Sequence, residues 1–129
     1  MSFLKSLLNK EEPIHQDWQV LDQLNQVEDI IAQSFHKPTA IFKHSLTCGI
    51  SSMAKYNLEE NWDLPVDGLQ MYYLDLLNNR SVSNLVADRL GVIHRSPQVI
   101  LLHNGEVVYH SSHHMISVPA LKNALEQTV

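Results

Sequence analysis

Two apolar runs, Gln98-Val99-Ile100-Leu101-Leu102-His103 and Glu106-Val107-Val108-Tyr109-His110, are separated by nothing but Asn104-Gly105. A two-residue hairpin needs positive φ at both turn positions, and asparagine followed by glycine supplies it at the least steric cost. An antiparallel pair is therefore expected toward the end of the chain, and the residues before it follow a different rhythm. Trp18-Gln19-Val20, Thr39-Ala40-Ile41-Phe42-Lys43 and Leu69-Gln70-Met71-Tyr72-Tyr73-Leu74-Asp75 read as strands, the last dense enough in aromatic and aliphatic residues to be central. Between them the apolar spacing turns helical. Leu21, Leu24, Val27 and Ile31 recur through Ser34 until the break at His36-Lys37-Pro38; Ile50, Met53, Ala54 and Leu58 form a second stripe. Val82, Leu85, Val86 and Leu90 form a third, with Ser81 as N-cap and Gly91 as stop. Ser117 to Gln127 closes the chain with Val118, Leu121 and Leu125 on one face and Pro119 in the first turn. Strands joined through helices pair in parallel by right-handed crossovers, and the hairpin adds antiparallel edge strands. The expected order is βαβαβαββα, an α/β fold with a mixed central sheet and helices on both faces.

A chain of 129 residues, 44% hydrophobic, is long enough for one core, so a single domain is expected over residues 1–129. Residues 1–13, ending in Glu11-Glu12-Pro13, read as an arm packed on that domain. The formal charge of −5 and the lack of a basic run argue against nucleic acid as a partner, and no apolar stretch approaches spanning length, which argues against a membrane. Ser2-Phe3-Leu4-Lys5-Ser6-Leu7-Leu8 is too short in its apolar part for a signal peptide and has no small-residue cleavage site, which predicts a cytoplasmic protein. The chain has one cysteine, which cannot form an internal disulfide and gains nothing structural from an oxidising compartment.

That cysteine, Cys48, follows the strand Thr39–Lys43 and the turn-like His44-Ser45-Leu46-Thr47, and it opens the helix of Ile50, Met53, Ala54 and Leu58. At a helix start, free backbone N–H groups and the positive end of the dipole favour an anion, and cysteines so placed can have pKa values well below about 8.5. Since the thiolate is the nucleophile, Cys48 is the candidate catalytic residue. A small buried hydrophobe is the commoner fate of a lone cysteine, but Thr47 and Gly49 flank it in place of bulky apolar residues, and it lies off the apolar stripe.

The segments Phe42-Lys43-His44-Ser45-Leu46-Thr47-Cys48-Gly49-Ile50-Ser51, Ser96-Pro97-Gln98, Asn104-Gly105-Glu106-Val107-Val108-Tyr109-His110 and Ser112-His113 resemble the YtxJ-like monothiol bacilliredoxin family of the thioredoxin-like superfamily. The resemblance implies a thioredoxin-like fold. It also implies a disulfide reductase that removes a low-molecular-weight thiol, bacillithiol in the family's usual hosts, from S-thiolated client proteins. No tightly bound cofactor is implied, and the small thiol acts as co-substrate. Where the family usually has proline, this chain has Gly49. The resulting Cys-Gly-Ile-Ser is one residue from the Cys-Gly-Phe-Ser of monothiol glutaredoxins, so a [2Fe-2S] carrier is the second reading, and an inert thioredoxin-like scaffold the third.

Supporting roles follow for other residues. Ser51 holds the place of the second cysteine in a C-x-x-C pair; its hydroxyl either donates a hydrogen bond to the Cys48 sulfur or simply satisfies the first helical turn. By the resemblance, Pro97 is cis and faces Cys48, leaving the backbone groups of Ser96 free to pair with an extended substrate. Thr47 and Gly49 shape access to the sulfur, with Gly49 adding backbone freedom. Lys43 and Arg95 either offer positive charge to carboxylates of the small thiol or are solvated surface cations. His113 falls on a family-like position, and with His110 and His114 makes the one metal-like cluster, for which no metal is expected.

Overall fold

The structure, a computed structural model, describes residues 13–128. All but residue 13 of the expected N-terminal arm lies outside them. The described chain builds one sheet of five strands: β1 (Gln19–Val20), β2 (Thr39–His44), β3 (Gln70–Asp75), β4 (Gln98–His103) and β5 (Glu106–Ser112), in the order β1-β3-β2-β4-β5. β3 pairs in parallel with β1 and β2, while β4 is antiparallel to both β2 and β5. Helices α1 (Gln26–Gln33), α2 (Gly49–Asn61), α3 (Arg80–Leu90) and α4 (Val118–Glu126) complete the order βαβαβαββα, with a 3-10 turn at His113–Met115.

Strand alternation splits the core in two. Ala40, Phe42, Met71, Tyr73, Val99 and Leu101 pack with Ala54 and Leu58 of α2 and with Val118 and Leu121 of α4. On the other face Ile41, Tyr72, Leu74, Ile100 and Leu102 pack with Val27, Ile30 and Ile31 of α1 and with Val82 and Val86 of α3. Each fully buried side chain such as Leu58 or Phe42 contributes about 1.5–3 kcal/mol relative to an exposed one.

The hairpin forms where Asn104-Gly105 placed it, with φ of 54° and 80°. It is also clasped from outside: Asn104 N–H donates to the Ser34 carbonyl at 2.8 Å and Gly105 N–H to Ser34 Oγ at 2.9 Å, while a Cβ on Gly105 would collide with the ring of Phe35. Gly91 ends α3 in the left-handed region at φ 68°, and Ser117 caps α4 by accepting the Ala120 N–H at 3.1 Å.

Three details differ from the sequence reading. α1 begins only at Gln26, because Leu21 N–H extends the β1–β3 pairing by donating to the Tyr73 carbonyl, and Gln26 Oε1 turns back to the Asp22 and Gln23 N–H groups; Leu24 is consequently exposed. The N-cap of α3 is Asn79 rather than Ser81, since the first helical bond runs from Ser83 N–H to the Asn79 carbonyl. In α2 the buried stripe is Ser51, Ala54, Lys55 and Leu58, whereas Ile50 and Met53 are 57% and 63% exposed. Polar side chains take two places of the buried stripe because each has specific partners: Lys55 Nζ donates to the Pro13 carbonyl at 2.8 Å and to Glu59 Oε1 at 3.0 Å, and Ser51 is bonded as described below.

Candidate active site

β2 is flanked on both sides, by β3 up to His44–Asp75 and by β4 up to Lys43–Gln98. The turn after β2 and the residues just before β4 therefore meet at one end of the sheet. In that turn Cys48 N–H donates to the Ser45 carbonyl at 3.2 Å, and Cys48 itself is the N-cap of α2, extended at φ −106° and ψ 119°. Its carbonyl accepts the Ser52 N–H at 3.0 Å, the first bond of the helix. The N–H groups of Gly49, Ile50 and Ser51 precede that bond and have no intrahelical acceptor. The first turn contains no acidic side chain that would oppose the positive end of the helix. The thiol is free and half-buried, reachable but not fully solvated.

Ser51 does not bond to the sulfur. It is fully buried, its Oγ accepts the Ser45 N–H at 3.0 Å and lies 2.8 Å from His44 Nδ1, so it fastens the turn that carries Cys48 to the end of β2. Thr47 is exposed, its Oγ1 3.3 Å from Ser45 Oγ. Gly49 needs no glycine-specific conformation: it lies outside the left-handed region, and a Cβ there would meet nothing within 4 Å. The first helical position is also one that proline favours, so the fold itself makes no demand for glycine there.

Pro97 is buried, and the Ser96-Pro97 peptide is cis. Its carbonyl accepts the His113 N–H at 3.1 Å, which joins the start of β4 to the 3-10 turn. Among the described residues neither backbone group of Ser96 has a hydrogen-bond partner, and its buried Oγ has none either. His113, at φ 55°, also lines a groove of about 330 Å³ with His114, Ile116 and, from α2, Gly49, Ile50, Met53, Ala54 and Asn57. Exposed Ile50 and Met53 thus belong to the wall of a groove at the helix start, not to the core.

The two cations part company. Arg95 is exposed, its guanidinium donating to the His94 carbonyl at 3.0 Å. Lys43 is neither a ligand for a carboxylate in solution nor a solvated surface charge, as it is fully buried on the face of the sheet away from α2. Its Nζ donates to the Ser83 carbonyl at 3.2 Å and lies 3.2 Å from His94 Nδ1, and burial pulls its pKa down from 10.5 to about 8. His110 is exposed on β5 opposite Ile100, apart from the 3-10 turn of His113 and His114. Among the described residues no group of three His, Cys, Asp or Glu side chains is placed to hold a metal ion.

The sequence reading left out His44 and His94. Strand alternation places His44 on the face of Ala40 and Phe42, toward α2, which was the available signal. His94 gave none, because its role depends on Lys43, far away along the chain.

The profile of the family described as monothiol bacilliredoxin BrxC matches residues 19–121. A solved structure provisionally assigned as an oxidoreductase with a thioredoxin fold is 31% identical, with a TM-score of 0.68 over 84% of this chain and 93% of that one. Thioredoxin from Malassezia sympodialis (19% identity, TM-score 0.66, 91% of this chain and 96% of that one) is similar in fold. So is thioredoxin from Trypanosoma brucei brucei (15%, 0.68, 92% and 96%).

Proposed function

The chain belongs to the monothiol bacilliredoxin family, thiol oxidoreductases of the thioredoxin fold, and from that premise we propose that it removes a low-molecular-weight thiol, bacillithiol or a close analogue, from S-thiolated proteins through Cys48. The observation that carries the reading is the free, half-buried Cys48 at the N-cap of α2, at the same end of the sheet as the unpaired backbone of Ser96. In the first step the Cys48 thiolate attacks the sulfur of the small thiol. A new disulfide forms between Cys48 and that thiol, the bond to the client cysteine breaks, and the client sulfur leaves with the electron pair and takes a proton from water. The Ser51 hydroxyl cannot close an internal disulfide, so a second thiol from solution or a reductase must attack the Cys48 adduct and return the thiolate.

The client is held, in this proposal, by its extended backbone pairing with Ser96, a short β-like contact. The reading places the protein where S-thiolated clients and the small thiol occur, in the cytoplasm; none of its helices is long and apolar enough to cross a membrane among the described residues. The test is release of the small thiol from a mixed-disulfide protein. Cys48→Ser is expected to abolish it, and full activity in that variant would end the proposal.

A further inference from the structure

Lys43 and His94 meet where no part of the exchange step reaches. Lys43 leaves β2 on the side of Ile41, and its ammonium fastens three segments: β2 itself, α3 through the Ser83 carbonyl, and the stretch after α3 through His94 Nδ1. Among the described residues no carboxylate pairs with it. The stretch from Val92 to Ser96 leads directly into Pro97 and has few other ties. Val92 N–H reaches the Ala87 carbonyl at 3.3 Å, Gln98 Nε2 donates to the Ile93 carbonyl at 3.0 Å, and Gln98 Oε1 takes the Arg95 N–H at a long 3.3 Å.

The bond between Lys43 and His94 depends on protonation. An ammonium has donors only, so Nδ1 accepts from it while the imidazole is neutral and Nδ1 carries no proton. Once His94 is protonated both partners are donors and both are cations. His94 is an exposed residue, and the partial desolvation of its ring, the largest cause, together with positive charges from Lys43 on β2, Arg80 on α3 and Arg95 in its own stretch, holds its pKa below the usual 6.5.

We propose that Lys43 and His94 are positioning residues for peptide docking at Ser96, their hydrogen bond holding residues 92–97 against the sheet while His94 is neutral and releasing them when it takes a proton. The inference rests on the proposed exchange function, and neither residue touches the sulfur. A small neutral disulfide that makes no backbone pairing reports the reactivity of Cys48 alone, whereas an extended peptide bearing a mixed disulfide also needs Ser96 in place.

The experiment compares rates of Cys48 with 2-hydroxyethyl disulfide and with a peptide S-thiolated by bacillithiol, from pH 4.5 to 8, alongside amide hydrogen exchange at Arg95. In the wild type the peptide-to-small-disulfide ratio is expected to fall about tenfold below pH 6.5, with exchange at Arg95 accelerating over the same range beyond its intrinsic pH dependence. His94→Gln, whose amide oxygen accepts from Lys43 without titrating, is expected to lose the inflection in both readouts. Lys43→Met is expected to hold the ratio at the wild type's low-pH level across the whole range, about tenfold below wild type at pH 7.5–8 and equal to it at pH 4.5. A wild-type ratio without an inflection, or one that persists in His94→Gln, overturns the inference while leaving the exchange chemistry intact. Failure of both disulfides to react with Cys48 contradicts the proposed function itself and takes the positioning role with it, and Arg95 exchange then shows separately whether the tether exists.

Discussion

Ser51 shows how a residue in the right place can do a different job from the one its spacing implies. Its position after Cys48 invites a hydrogen bond to sulfur, but its oxygen is occupied by the Ser45 N–H and by His44 Nδ1, so what it stabilises is the turn. Ser51→Ala leaves the buried Ser45 N–H without its acceptor and is expected to destabilise the fold by about 1–3 kcal/mol in thermal or denaturant unfolding, while the rate of Cys48 with a small disulfide stays within about tenfold of wild type. A hundredfold rate loss at unchanged stability would show that Ser51 acts on the sulfur after all. Cys48 itself was legible, since a strand, a polar turn and a helical stripe fix a helix start from local sequence alone. Lys43 was not. A lysine is read as exposed by default, and the acceptors that let this one be buried, the Ser83 carbonyl and His94, lie on elements the local sequence does not name.

Among the elements, the hairpin and the three helix ends with clear chemistry, Gly91, Ser117 and the Cys48 turn, followed from residues a few positions apart. The start of α1 and the buried stripe of α2 did not, because both were decided by partners elsewhere: the Tyr73 carbonyl that keeps Leu21 extended, and the Pro13 carbonyl and Glu59 that make Lys55 acceptable inside. The contact between β2 and α3 through Lys43 gives a measurable pH dependence. The folded state lowers the lysine pKa from 10.5 to about 8, so between those values the unfolded chain binds more protons and the folded state becomes more stable as pH rises. The cost of burying the ammonium is fully present below pH 8. Between about pH 8 and 10.5 the unfolding free energy of wild type minus that of Lys43→Met is expected to rise by up to about 3 kcal/mol, read from denaturant midpoints across the range. A difference that stays flat would mean that Lys43 is not buried as an ammonium.

At the scale of the whole molecule the thioredoxin fold and the family were both readable, because strand order, hairpin and the Cys48 and Ser96-Pro97 segments each carry part of the pattern. Gly49 is the departure that kept a cluster-carrying reading open. Its conformation is one that other residues adopt, so it gives no structural support to that reading. A [2Fe-2S] cluster takes four ligands, and one cysteine per chain means a dimer with two added thiols. Anaerobic supply of iron, sulfide and a small thiol is therefore expected to leave the protein colourless and monomeric by visible spectroscopy and size exclusion; a brown dimer lost in Cys48→Ser would move it to the cluster-carrier class. Transfer of the small thiol from a client to the Cys48 thiolate is read out by intact-mass spectrometry of the protein after mixing with a bacillithiol-modified client in the absence of any resolving thiol. A mass increase equal to one bacillithiol disulfide on Cys48 is expected, matched by freed client thiol and absent in Cys48→Ser. An unmodified Cys48 beside a fully thiolated client, or a freed client thiol with no adduct on Cys48, would contradict that transfer.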